Sequence, residues 1–162
     1  MPKIDLATVL VKTGTIYPAQ YAPHVAGRSS LRLGDAGGLT QFGVNLVILA
    51  PGAKSSLRHW HLHEDEFVMI TMGECIMVQD AGETPMCVGD CAAFPAGVPD
   101  GHCFINRTGA EARFLVVGSK APMEVATYSD VDLRVTQSGG TSTFTHKDGR
   151  PYVDPGVGPA QK

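Results

Sequence analysis

The 162-residue sequence contains no run approaching the roughly 18 consecutive apolar residues of a transmembrane helix, so nothing in it is expected to span a membrane. It has no cationic surplus. Thirteen Lys and Arg stand against 16 Asp and Glu, for a net charge of −3, which argues against sequence-independent nucleic-acid binding. No pair among its four cysteines (Cys75, Cys87, Cys91 and Cys103) has CxxC spacing. A domain of this length needs no disulfide staples, so four free thiols in a reducing cytoplasm are expected, several of them buried as small hydrophobes. The opening MPKIDLATVLVKTG carries Asp5 and lacks a long apolar stretch, so it does not read as a signal peptide, and the expected location is cytoplasmic. Internal repeats and low-complexity tracts are absent, and no long window keeps a helical 3.6 period.

What is present is a folded composition, 43% hydrophobic and 18% charged. A single domain of this size can bury about 70% of the surface that its unfolded chain exposes. Nineteen Gly and 11 Pro fall between short apolar runs. The runs GLTQFGVNLVILAPG, SLRHWH, EFVMITMG, ECIMVQD, TPMCVGD, CAAFP, HCFINRTG and EARFLVVGS follow one another with a turn signal after almost every one. That spacing predicts an all-β sandwich or barrel. Residues 1–38 read as an arm with one or two short strands, 39–118 as the barrel, and 119–162 as a loose extension packing on it, with the final DPGVGPAQK disordered. Within 39–50, Phe42, Val44, Leu46 and Ile48 share one face of a strand that Pro51-Gly52 ends.

The chemistry sits in SSLRHWHLHEDEFVMITMGE. In a strand His59 and His61 point to the same side, with Cα atoms about 6.5–7 Å apart, close enough for two imidazoles to meet at one ion. A chain reversal at His63-Glu64 would set His61 opposite Glu66 and His59 opposite Val68, bringing His59, His61 and Glu66 into one space lined by Leu57, Val68 and Ile70. His102, the sole histidine between positions 64 and 145, follows the loop AGVPDG and is the fourth expected ligand. Three imidazoles and a carboxylate suit one divalent transition-metal ion per chain, Fe, Mn, Ni or Zn, with Cu also compatible. His63 shares the parity of His61 but is expected in the turn. His24 and His146 are expected at the surface, and Asn106 is expected to cap a turn. Trp60, Phe67 and Met69 fall on the face opposite the ligands, and an apolar outer face calls for a cover.

These two clusters resemble the paired motifs of the cupin superfamily. The first is carried by Gly52, His59, His61, Glu66 and Gly73, and the second by Gly89, Pro95, Gly97, His102 and Asn106. The chain departs from the family pattern by one extra residue before His59 and two extra residues between Gly97 and His102. The wording RHWHLHEDEF and FPAGVPDGH is especially similar to small single-domain bacterial cupins, many of them known only by their domain or as candidate sugar-phosphate isomerases. The resemblance covers about residues 39–118. It implies an antiparallel β-barrel or jelly roll with the metal inside, and a homodimer.

Three functions compete at this stage. One is a metal-dependent isomerase acting on a sugar phosphate, with Glu66 as ligand and conceivably as the catalytic base. Another is a non-haem metal dioxygenase with an apolar pocket. The third is a non-enzymatic module that binds or senses a small molecule. A phosphate would need anchors, and Arg32, Thr40, Lys54, Arg113 and Lys120 are available, but none is placed inside the barrel by pattern, and Arg58 is expected to point away.

Overall fold

A computed structural model describes residues 3–152. Thirteen short strands among these residues form three antiparallel sheets. The strands are β1 (Val11–Thr13), β2 (Arg28–Arg32), β3 (Phe42–Leu49), β4 (His59–His61), β5 (Glu66–Met72), β6 (Glu74–Gln79), β7 (Gly82–Cys87), β8 (Cys91–Phe94), β9 (Cys103–Ile105), β10 (Ala112–Ser119), β11 (Met123–Tyr128), β12 (Arg134–Ser138) and β13 (Thr141–Thr145). The first sheet runs β1-β2-β3-β10-β5-β8, the second β13-β12-β11-β4 and the third β7-β6-β9. This is the all-β jelly-roll barrel that the sequence predicts. None of the described helices is long and apolar enough to cross a membrane.

The main core fills the space between the six-stranded and three-stranded sheets. Val47, Leu49, Val68, Ile70, Ala112 and Phe114 from the first meet Cys75, Met86 and Phe104 from the third. Cross-strand register explains the set. Val47 lies opposite Phe114, which in turn lies opposite Ile70, so one ladder of apolar side chains crosses the sheet on its inner side. The inward face of β3 is therefore the one bearing Val47 and Leu49. The face bearing Phe42, Val44, Leu46 and Ile48 is the outer one. Hydrophobic residues occupy both faces of this strand, so period two could not rank them.

A second cluster, Leu57, Ala126, Tyr128, Leu133 and Val135, packs under Tyr17, Tyr21, Phe144 and Tyr152. The region expected as a loose extension thus supplies β11, β12 and β13. The N-terminal arm supplies two aromatic side chains to the same cluster. The disorder expected of the final nine residues concerns positions outside the described residues. All four cysteines are unpaired, with Cys75 and Cys103 buried.

Gly73, the last glycine of the first motif, has a structural reason. Its φ of +69° suits the tight link from β5 to β6, and a Cβ there would lie 2.5 Å from the Glu111 carbonyl oxygen.

Candidate metal centre

The hairpin expected around His63-Glu64 does not form. Strand β4 pairs with β11, placing Ala126 opposite His61 and Tyr128 opposite His59, while β5 pairs with β10 and β8. Residues 62–65 therefore pass from one sheet to another. Glu124 holds this crossing: its two carboxylate oxygens accept the backbone N–H groups of Leu62 and His63 at 2.8 and 2.9 Å. A further link comes from Gly97, whose N–H donates to the His61 carbonyl at 2.8 Å and so ties the second motif to the first. The N–H of His59 donates to the His102 carbonyl, and that of His102 donates back to the His59 carbonyl.

Convergence survives the change of partner strand. The donor atoms of His59, His61 and Glu66 lie within 4.8 Å of one another. His102 Nε2 lies 2.7 Å from Glu66 Oε2, and His61 Nε2 lies 3.8 Å from the same oxygen. Ring centroids are 4.9 Å apart for His59 and His61, and 5.0 Å for His59 and His102. The His102 ring is buried and stacks on Phe94 with centroids 3.5 Å apart and planes 9° from parallel. Of the lining expected around these ligands, Val68 and Ile70 belong to the main core and Leu57 to the second cluster, whose Tyr128 lies 5.8 Å from the His59 ring.

Electrostatics favour a cation here. Burial, with His61 and His102 close by, pulls His59 down to about 3, so its imidazole is neutral near pH 7. Its Nδ1 lies 3.0 Å from the Leu57 carbonyl oxygen, which can only accept, so Nδ1 carries the proton and Nε2 keeps its lone pair. Burial alone would raise Glu66, but the hydrogen bond and charge of His102, with His59 and His61, outweigh it and bring the carboxyl to about 2. The Nδ1 atoms of His61 and His102 are buried and have no hydrogen-bond partner. The nearest carboxylate oxygen to His61 Nδ1 is Glu124 Oε1, at 3.5 Å. Three imidazoles around one carboxylate form a donor set that a divalent transition metal fits. A small cavity of about 80 Å³, bordered by Trp60, His61, Phe94, Asp100 and His102, opens onto it.

The remaining histidines stay apart. His63 and His24 are exposed, and His146 bonds Asp132 at 2.8 Å and stacks on Tyr152. Trp60 does not share an outer face with Phe67 and Met69, because β4 and β5 lie in different sheets. Asn106 does more than cap a turn: it is fully buried and ties the end of β3, at Leu49 and Ala50, to the turn at Ala110. Sequence reasoning missed Glu124, Phe94 and Tyr128. A buried glutamate in a strand leaves no periodic signal, and the other two sit in segments whose partners are distant in sequence.

Residues 45–118 match the cupin domain family. A structure of a sugar phosphate isomerase of the cupin superfamily from Silicibacter pomeroyi is 58% identical, over 94% of this chain and 97% of that one, with a TM-score of 0.92. The chain belongs to the cupin superfamily. A candidate sugar phosphate isomerase from Acidithiobacillus ferrooxidans is 23% identical over 85% of this chain and 96% of that one, with a TM-score of 0.70. The polyketide cyclase RemF from Streptomyces resistomycificus is 20% identical over 74% of this chain and 79% of that one, with a TM-score of 0.61. The last two likenesses concern the fold alone. None of the curated proteins matches the chain.

Proposed function

We propose that the chain is a metal-dependent isomerase of a small hydroxy-carbonyl metabolite, with a sugar phosphate as the leading substrate class. The observation that carries this reading is the convergence of His59, His61, Glu66 and His102 beside a small cavity bordered by Trp60, Phe94 and Asp100. The 58% identity to a sugar phosphate isomerase supports it. The four residues would hold one divalent ion, whose chemistry when bound is Lewis acidity toward adjacent substrate oxygens.

The chain's own residues do the rest. Neutral His59 and ionised Glu66 supply a lone pair and a negative charge without first losing a proton near pH 7. Phe94 covers the buried His102 ring by stacking on it. An aldose–ketose interconversion is redox-neutral. A proton leaves the carbon beside the carbonyl and one is returned to the neighbouring carbon. Glu66 is a weak acceptor for it, being committed to His102, so its role is that of ligand. Glu64 is better placed to move the proton. Its Oε1 accepts the Ala121 N–H at 2.8 Å, and a donor oxygen lies within 4.8 Å of both His61 and Glu124.

The test presents aldose and ketose phosphates to metal-loaded protein in deuterated water, with and without oxygen. Deuterium should enter the carbon beside the carbonyl under both atmospheres, and Mn, Zn or Ni should each support it. Oxygen uptake on a catechol or enediol, with no exchange on any sugar phosphate, would overturn the isomerase reading.

The same reading includes a homodimer. Phe67 and Met69 are 40% and 38% exposed on the outer side of the six-stranded sheet, where they flank Val117 and Leu115. A second copy covering this patch would remove a continuous apolar surface from water. Light scattering at micromolar concentration should give twice the 17.1 kDa chain mass, and Phe67→Glu should halve it. A wild-type mass of one chain would sink the dimer.

A further inference from the structure

The cavity of about 80 Å³ that borders His61 and His102 carries a polar pair of its own, Gln79 and Asp100, which the metal centre does not use. Sheet register places Gln79 there. Val78 of β6 lies opposite Cys103 of β9, so Gln79 comes level with His102 and faces the same side. Met77, two residues earlier on β6, packs against the main core from that inner side. Gln79 is thus a polar residue at the end of an inward-facing apolar row.

Asp100 is held beside it. Its Oδ1 accepts the Asp80 N–H at 2.9 Å, and its Oδ2 accepts from Gln79 Nε2 at 3.3 Å. The Asp80 side chain is bound in turn by Arg58, which also holds Asp130. Bonding capacity remains. A carboxylate has about four lone-pair sites, so about two on Asp100 are left over. The Oε1 and the second amide N–H of Gln79 have no protein partner among the described residues. Charge decides what these groups receive. No lysine or arginine borders the cavity, and Arg58 is spent on two carboxylates. A phosphate set against Asp100 would bring two anions together in a partly buried space. A hydroxyl instead donates to the carboxylate and accepts from the amide. The volume admits about two or three water-sized groups, so it takes one end of a small molecule.

We propose that Gln79 and Asp100 form a hydroxyl-recognition subsite beside the centre of His59, His61, Glu66 and His102, so that a substrate enters by its hydroxyl-bearing end and keeps any phosphate outside the cavity. The inference rests on the isomerase reading for the substrate class. It adds the residues that fix which end of the substrate approaches the centre.

The experiment titrates erythritol, an uncharged polyol, and separately inorganic phosphate into the metal-loaded full chain. It follows the fluorescence of Trp60, the single tryptophan, which borders the same cavity. Erythritol should change that signal saturably. Asp100→Asn should weaken erythritol binding by at least about tenfold and tighten phosphate binding, with metal content unchanged. A merely loosened loop would not move the two probes in opposite directions. Gln79→Leu should weaken erythritol and leave phosphate affinity unaltered. Should Asp100→Asn not fold, Asp100→Ser replaces it and should lose erythritol to the same extent. Erythritol that leaves Trp60 unmoved, or that binds equally to wild type and the Asp100 variant, overturns the proposal. Erythritol held through Asp100 with no sugar phosphate isomerised would leave the subsite standing and remove the isomerase reading.

Discussion

His61→Ala is expected to lower metal affinity by more than about 100-fold. Losing a residue that merely orients a ligand already costs about 10- to 100-fold, and His61 would itself be a ligand. Its Nε2 faces Glu66, and its Nδ1 faces Glu124, which also pins the backbone of Leu62 and His63. Glu124→Gln should therefore give the smaller effect, about tenfold, because it loosens the crossing between sheets without removing a donor to the ion. His146→Ala should change nothing, since that ring is occupied by Asp132 and Tyr152. Competition with a chromophoric chelator would rank the variants. Equal affinity in His61→Ala and His146→Ala would remove His61 from the centre.

Asn106→Ala is expected to destabilise the fold by about 3–5 kcal/mol, which for a chain of this size lowers the melting temperature by about 10 °C. The side chain is fully buried. Its Nδ2 donates to the carbonyls of Leu49, Ala50 and Ala110, and its Oδ1 accepts from the Thr108 N–H and hydroxyl, all at 2.7–3.2 Å. Alanine would take one donor from each of the Leu49, Ala50 and Ala110 carbonyls and leave the Thr108 N–H without its acceptor, where water has little access. Asn106→Asp should recover only the bonds from Thr108 and would set a carboxylate against three carbonyl oxygens, so it should be no better than alanine. Calorimetric unfolding checks both. A loss below about 1 kcal/mol for Asn106→Ala would mean that water replaces the amide, and would refute this account of its role.

The convergence of the candidate ligands was readable because its information is local. Two histidines at i and i+2 share a face in any strand, and Gly73, Pro95 and Gly97 mark the turns that bring the chain back. The partner strand was not readable. Parity fixes which face His59 and His61 occupy but not which strand lies beside them, and the three residues of β4 carry too little pattern to choose between β5 and β11. The wrong partner nevertheless gave the right convergence, because Glu66 of β5 and His102 before β9 face the same interior. The strands after residue 119 were hidden for another reason. Arg134–Ser138 and Thr141–Thr145 hold few apolar residues, and their burial comes from Tyr17 and Tyr21, more than a hundred positions away. Glu124 escaped notice as well. Charged residues are expected outside, and only the assembled barrel reveals a charge held within it.

X-ray absorption at the edge of the metal that copurifies with the protein tests the central claim most directly. The account predicts about one ion per chain, a shell of nitrogen and oxygen only, and the outer-shell scattering of three imidazoles. A sulfur scatterer, which would point to the cysteines, or the signature of fewer than two imidazoles, would contradict a centre built from His59, His61, Glu66 and His102.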